Sequence, residues 1–401
     1  MSKGFRWTRG RFKEQGFEYV PIAPAGSMAS SAGDMAHFLI AHLQDGRYGD
    51  ARILKEETAR QMHGPLFTHD PSQPRMAYGF MRMTYNGHEV VEHGGDTFWF
   101  HSQFMMLPQH NAGYFVSYNT ESGGGLREKL FEAIMDRYWP ATDEPVIKPA
   151  AEFDDTLARY EGSYGAIRHS YTTILKLGAL LGVTKISADG DTLVLEGGTR
   201  TLRFAEVAPL VFREIDGQHS LAFREDPSGH ITHMFVGAGP AVALERLPRT
   251  ETPRFNLGLL GVCVAIFLTA AIGWPVIAFV TRDKPASPQG DSAARSSGGS
   301  RAATLIGWLM AVAAITVIGL ALIPFADAEE FAYGVPPLMA GLLWSTPIVT
   351  ALVVATAIGA IMAWRSGYWR LSGRIHYTTV AAAGLAFVWF LNHWNLLRFG
   401  A

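Results

Sequence analysis

Glu92-His93-Gly94-Gly95-Asp96-Thr97-Phe98-Trp99-Phe100-His101-Ser102 decides how the first part of the chain folds. Glu89-Val90-Val91 leads into it, and Phe98 to Leu107 and Ala112 to Tyr118, separated by the turn Pro108–Asn111, read as further strands. Glycines inside a strand mark close approach of backbone or ligand, so the strand beginning at His93-Gly94-Gly95 is the first candidate site. Helical patterns flank it. Ser30-Ser31-Ala32-Gly33-Asp34 offers hydroxyls and a carboxylate suited to a helix N-terminus, and Met35, Phe38, Leu39 and His42-Leu43 then recur at helical spacing. Arg127 to Trp139 is a second amphipathic helix, opened by the turn glycines Gly123-Gly124-Gly125 and stopped by Pro140. Residues 1–140 are therefore an α+β unit.

Residues 152–247 follow a different rule. Apolar and polar residues alternate in short runs, such as Thr192-Leu193-Val194-Leu195-Glu196 and Leu202-Arg203-Phe204, broken by Asp189-Gly190, Asp216-Gly217 and Ser228-Gly229. This pattern predicts a small antiparallel barrel or sandwich. It contains no clustered nucleophile, metal set or phosphate loop, so it reads as a spacer or accessory domain.

The rest of the chain is nearly free of charge. Residues 254–401 carry 9 Lys/Arg and 5 Asp/Glu, against 25 and 31 in residues 1–253. Crossing the hydrocarbon of a bilayer takes about 20 mostly apolar residues, and four segments qualify: 255–281, 302–326, 336–364 within the longer apolar run from Phe331, and 377–397. Short cytoplasmic loops carry the Lys/Arg excess. Arg282, Lys284, Arg295 and Arg301 fall in the first loop and Arg365, Arg370 and Arg374 in the third, whereas the second holds Asp327, Glu329 and Glu330. The Pro/Ser/Gly-rich loop 282–301 is then a flexible cytoplasmic linker, and residues 1–253 lie on the outer, periplasmic side of a multi-pass inner-membrane protein. The opening MSKGFRWTRGRFKEQGFEY has no apolar h-region to export such a domain, which predicts a missing upstream segment. A net charge of −2 gives no support for nucleic-acid binding, and the one cysteine, Cys263, excludes a disulfide framework.

Pro24-Ala25-Gly26-Ser27-Met28-Ala29-Ser30-Ser31-Ala32-Gly33-Asp34-Met35-Ala36, then Ala77-Tyr78-Gly79-Phe80, His93-Gly94-Gly95-Asp96 with Phe100-His101-Ser102, and Val116-Ser117-Tyr118-Asn119 together resemble the C-terminal half of the serine β-lactamase-like hydrolases. That family includes class C β-lactamases, DD-peptidases and low-molecular-weight penicillin-binding proteins. Its chemistry uses Ser-x-x-Lys for the acylated serine and its lysine partner, a Tyr-x-Asn or Ser-x-Asn element for proton transfer, and Lys-Thr-Gly on a strand edge. His93-Gly94-Gly95 corresponds to the last of these in its His-x-Gly form. The resemblance implies that His93 faces the substrate carboxylate and that the backbone N–H of Asp96 is an oxyanion donor. An imidazole, titrating near about 6.5, is only partly charged at neutral pH where a lysine is fully charged. No Ser-x-x-Lys occurs anywhere in the chain, and neither of the first two motifs lies upstream of Pro24, where the family carries them. The nucleophile is therefore expected in a missing N-terminal half or a separate upstream chain, and this chain alone is expected to be inactive.

Rival readings of single residues are blander. Ser30 and Ser31 are helix-start residues, and His63, His69, His88, His101 and His110 lack the spacing of metal ligands. No metal or cofactor is expected. The combined expectation is a membrane-anchored β-lactamase-related serine hydrolase acting on a peptide or an acyl small molecule. The alternative is a non-catalytic envelope protein that binds a peptide or cell-wall fragment. Loop charge generates the first test: in a Cys263→Ala background, cysteine at Ser296 should be shielded from an impermeant thiol reagent in intact cells and cysteine at Ala328 should react. The reverse pattern would invert the topology.

Overall fold

The computed structural model describes residues 2–21, 23–141, 156–197, 200–237, 239–281, 298–324, 330–331 and 333–397. The chain divides into two compact units, Met1–Arg168 with Val183–Leu247, and His169–Gly182 with Pro248–Ala401.

The first unit opens with a hairpin of β1 (Phe5–Thr8) and β2 (Arg11–Glu14). Helix α1 (Ala32–Leu43) starts where the hydroxyls predicted it: the Ser31 hydroxyl accepts the Asp34 N–H at 3.1 Å and donates to the Asp34 carboxylate at 2.7 Å. A short pair, β3 (Arg47–Tyr48) and β4 (Ala51–Arg52), and α2 (Glu56–His63) follow. Then comes a five-stranded antiparallel sheet in sequential order: β5 (Arg75–Met76), β6 (Met81–Tyr85), β7 (His88–Asp96), β8 (His101–Leu107) and β9 (Ala112–Tyr118). Side chains alternate across it. Val91, Phe104 and Met106 pack with Leu39 of α1, while Val90, Met105 and Leu107 pack with Phe131 and Met135 of α3 (Gly123–Tyr138). A Cβ at Gly113 of β9 would lie 3.0 Å from Leu39 Cδ1 and 2.4 Å from the Met105 carbonyl oxygen, so glycine there lets α1 lie close on the sheet.

Three local expectations change. The strand carrying His93 begins at His88, and the next begins at His101 and not at Phe98. Residues 97–100 turn instead: the Thr97 N–H donates to the Phe100 carbonyl at 2.9 Å, and the Glu18 carboxylate accepts the N–H groups of Phe98 and Trp99 at 2.7 and 3.3 Å. Gly123, Gly124 and Gly125 form the first turn of α3 and not a turn before it. A Cβ at Gly123 would sit 2.5 Å from Tyr118 Cβ, so this helix start needs glycine for contact with β9.

Strands β10 (Gly162–Ala166), β11 (Val183–Asp189), β12 (Thr192–Gly197), β13 (Arg200–Ala208), β14 (Val211–Glu214), β15 (Ser220–Glu225), β16 (Ile231–Val236) and β17 (Ala243–Arg246) each pair antiparallel with the next. β17 pairs back to β10, closing an eight-stranded barrel and removing both sheet edges. Of the two forms that the alternation allowed, the barrel is realised. Tyr160, Tyr164, Phe204, Phe212 and Phe223 are buried in its core, where side chains fill an eight-stranded interior. Gly190 and Gly229 hold positive φ of 59° and 84° in the predicted turns.

The second unit contains four helices long and apolar enough to cross a membrane: α4 (Pro253–Thr281), α5 (Gly298–Ala321), α6 (Pro337–Arg365) and α7 (Leu371–His393). Small residues permit close helix packing, since a Cβ at Gly307 or Gly359 would meet the Tyr377 ring or hydroxyl within 3 Å. The Tyr377 hydroxyl donates to the Ala303 carbonyl at 2.8 Å. Helix bounds differ from the apolar bounds where polar residues join a helix end. α7 begins at Leu371 and takes in Arg374 and His376, and α5 begins at Gly298 and takes in Arg301, so residues 298–301 are helical and not linker. Residues 282–297 of the predicted linker lie outside the described residues, as do Asp327 and Glu329. Residues 169–182, placed by sequence within the β domain, group with the four helices.

Candidate functional site

The second half of β7 differs from the first. β6 pairs with His88 to Glu92 and stops there, whereas β8 pairs with β7 as far as Asp96. His93, Gly94, Gly95 and Asp96 thus have a strand partner on one side only among the described residues.

Period-two alternation splits these four residues. His93 is exposed and shares a face with Val91, Gly95 and Ser102. Glu92, Gly94 and Asp96 face the other way, toward α3, and line a cavity of 1160 Å³ with Gln103, Arg127 and barrel residues such as Arg213 and His219. The sequence reading grouped His93 with Asp96. The side chains do not meet, because residues three apart on a strand point to opposite faces. What they share is the backbone edge.

Asp96 is the centre of a charged cluster. Arg127 of α3 donates from Nη1 to Oδ1 and from Nη2 to Oδ2, both at 3.0 Å, and His101 Nδ1 lies 2.6 Å from Oδ1. Arg127 also donates to the Ser102 carbonyl at 3.0 Å. Burial works to raise the Asp96 carboxyl, but the hydrogen bonds from His101 and Arg127 and their charges outweigh it and hold the group below its usual range. Among the described residues, no hydrogen-bond partner meets the buried His101 Nε2. The glycines have a local cause: a Cβ at Gly94 would stand 3.2 Å from Arg127 Nη1, and one at Gly95 would stand 2.9 Å from the Ser102 hydroxyl. The close approach expected at these glycines is made by the chain's own side chains.

Glu92, two registers back on the same face, has the opposite setting. It is buried, and burial pushes its carboxyl up, only partly countered by a long 3.5 Å hydrogen bond from Gln103 and the charge of Arg127. Tyr114 donates to Gln103 at 2.8 Å, completing a chain from β7 to β9. Arg127 and His101 were missed as site residues. Only the hairpin register, which sets Asp96 opposite His101, could have suggested the second of them.

Residues 2–138 match the Beta-lactamase family model. The β-lactamase-like domain therefore covers the five-stranded sheet with α1 to α3, and the barrel and the four long apolar helices follow it. The chain is also similar to the solved structure of SurE, at 17% identity over 61% of this chain and 55% of that one, with a TM-score of 0.41. A structure of SurE with D-Leu matches at 19% identity over 54% and 50%, with a TM-score of 0.35. The octameric penicillin-binding protein homologue from Pyrococcus abyssi matches at 18% identity over 61% and 52%, with a TM-score of 0.30. The chain spans about half the length of these solved proteins. Comparison with curated proteins gave no match.

Within the β-lactamase-like domain, Ser31 caps α1, and the Ser30 hydroxyl donates to the Ser31 carbonyl at 3.3 Å. One Ser-x-Asn triplet does occur in residues 1–140, as Ser117-Tyr118-Asn119, but it follows the His93 strand where the family's element precedes it. Asn119 donates to the Lys3 carbonyl at 2.9 Å, so it ties the end of β9 to the N-terminal segment.

The two carboxyls make opposite contributions as pH changes. Asp96, depressed on folding, stabilises fully above the unfolded carboxylate value of about 3.9 and loses that contribution as pH falls through its folded value. Glu92, raised on folding, is penalised above its folded value, and the penalty vanishes below the unfolded value of about 4.3. Asp96→Asn should therefore cost about 1–3 kcal/mol at neutral pH, toward the low end because Asp96 is half-exposed. Glu92→Gln should stabilise at neutral pH, and both differences should fade in acid. Unfolding midpoints of the detergent-solubilised variants, followed by circular dichroism from neutral to acid pH, check the two signs.

Proposed function

We propose that this chain is the membrane-anchored part of a β-lactamase-related serine hydrolase, in which residues 1–140 supply the substrate-side strand of an acyl-transfer site. The family match over residues 2–138 carries the reading, and the one-sided pairing of His93 to Asp96 supports it. An unpaired strand edge can hydrogen-bond an extended amide substrate. In the proposed reaction a serine hydroxyl attacks an amide or ester carbonyl, the amine or alcohol leaves, and water releases the acid from the acyl-enzyme. His93, exposed beside that edge, hydrogen-bonds the substrate carboxylate, and the Asp96 N–H faces the developing oxyanion. The serine and its lysine come from an upstream segment or a separate chain, because Ser-x-x-Lys is absent from these 401 residues. Loop charge supports an outer-side location for the domain, with the four helices holding it at the inner membrane.

The purified chain should not be acylated by a fluorescent penicillin or a fluorophosphonate. Co-expression with an N-terminal segment carrying Ser-x-x-Lys should restore labelling on that segment. His93→Ala should then slow it about 10- to 100-fold, the effect of one lost hydrogen bond to a charged group. Labelling of a serine in the chain alone would contradict the reading. Failure of every such pairing, with peptide binding retained, would favour the non-catalytic alternative.

A further inference from the structure

The connection between β10 and β11 runs from Ile167 to Gly182, far beyond the 2–5 residues common in a hairpin. Its last fourteen residues, His169–Gly182, pack with the four apolar helices. The sequence HSYTTILKLGALLG has one Lys/Arg/Asp/Glu residue, Lys176. That charge turns inward. Lys176 Nζ donates to the His393 carbonyl at the end of α7 at 2.8 Å and lies 5.4 Å from the Trp394 ring centroid, a favourable place for a cation at a helix C-terminus. Asn395 donates to the Tyr171 and Thr173 carbonyls at 2.9 and 3.1 Å, and Leu177 and Leu180 pack against the helix-bundle core. The docked side thus holds the segment's one full charge, while Tyr171, Leu175 and Leu181 remain 53%, 52% and 83% exposed.

We infer that residues 169–182 form an interfacial element, whose exposed Tyr171, Leu175 and Leu181 insert into the bilayer surface at the α4-start and α7-end side of the helices. Continuity identifies lipid as the occupant. The element sits on Trp394, which donates to Asn256 at 2.9 Å, and next to Asn256 the side chains Phe255 and Leu257 are exposed on a helix of spanning length. Apolar side chains in this position bury about 5–10 Å into the headgroup and acyl boundary. A tyrosine suits it, with an apolar ring and a polar hydroxyl. The 3₁₀ turn Ile174–Leu180, capped by the Thr173 hydroxyl, holds Leu175 out while Ile174 is buried.

The test uses the full chain in lipid vesicles, in a Cys263→Ala background, with an environment-sensitive fluorophore at Leu181→Cys and, as a second position, Leu175→Cys. Asp191→Cys, in the exposed β11–β12 turn, is the aqueous control. A spin label near the headgroup end of the acyl chain should quench the labels at 181 and 175 severalfold more than the label at 191. Aqueous iodide should show the reverse order. Labels at 181 and 175 that respond to iodide as 191 does would overturn the inference. So would labels shielded from both quenchers, which would mean that protein, such as a second copy, covers the element.

Discussion

One guanidinium holds the end of the candidate site in place. Arg127, with its side chain 17% exposed, reaches from α3 to both oxygens of Asp96 on β7 and to the Ser102 carbonyl on β8. Its planar fork matches a carboxylate in a way that a lysine cannot. The strand half beyond Glu92 lacks a β6 partner, so among the described residues ladder hydrogen bonds fix it on one side only. The grip of Arg127 takes the place of that missing ladder. It also constrains the sequence, since a side chain at position 94 would crowd Nη1 at 3.2 Å.

The same charge acts on two carboxyls with different results. Asp96, half-exposed and hydrogen-bonded from two sides, is held ionised. Glu92, buried and within reach of Arg127's field but not of its fork, is pushed toward the protonated form. Burial alone would raise both, and the difference lies in direct hydrogen bonding. On the sheet face next to the cavity, Arg127 and His101 thus pair with Asp96, and Gln103 hydrogen-bonds Glu92. The exposed His93 lies on the opposite face, where the proposed chemistry needs an accessible group.

Much of the fold was legible because it rests on periodicity. The four apolar runs from 255 to 397 called for helices long and apolar enough to cross a membrane, and the alternation with Asp-Gly and Ser-Gly turns between 183 and 236 called for an antiparallel β domain. Helix ends were less legible, because Arg301 and Arg374 sit at helix ends where a hydropathy pattern stops counting. The Ser31 cap was legible from its spacing to Asp34. The site was half legible. His93, Gly94 and Gly95 announce a special strand, and the odd separation of His93 and Asp96 already implies opposite faces. Arg127 lies 31 residues from Asp96 across a tertiary contact, and nothing local marks it. Residues 169–182 were absorbed into the β domain although their apolar, nearly uncharged run breaks the alternation on either side.

The most direct test of this account is amide hydrogen exchange in Arg127→Met, which keeps the apolar stem and removes the fork. If Arg127 substitutes for the missing strand, the amides of Gly95 and Ser102, which face each other across the β7–β8 ladder, should exchange about 10- to 100-fold faster in the variant, while those of β12 to β15 stay unchanged. Unchanged exchange at Gly95 and Ser102 would contradict it and would mean that the open edge is held by the β8 ladder alone.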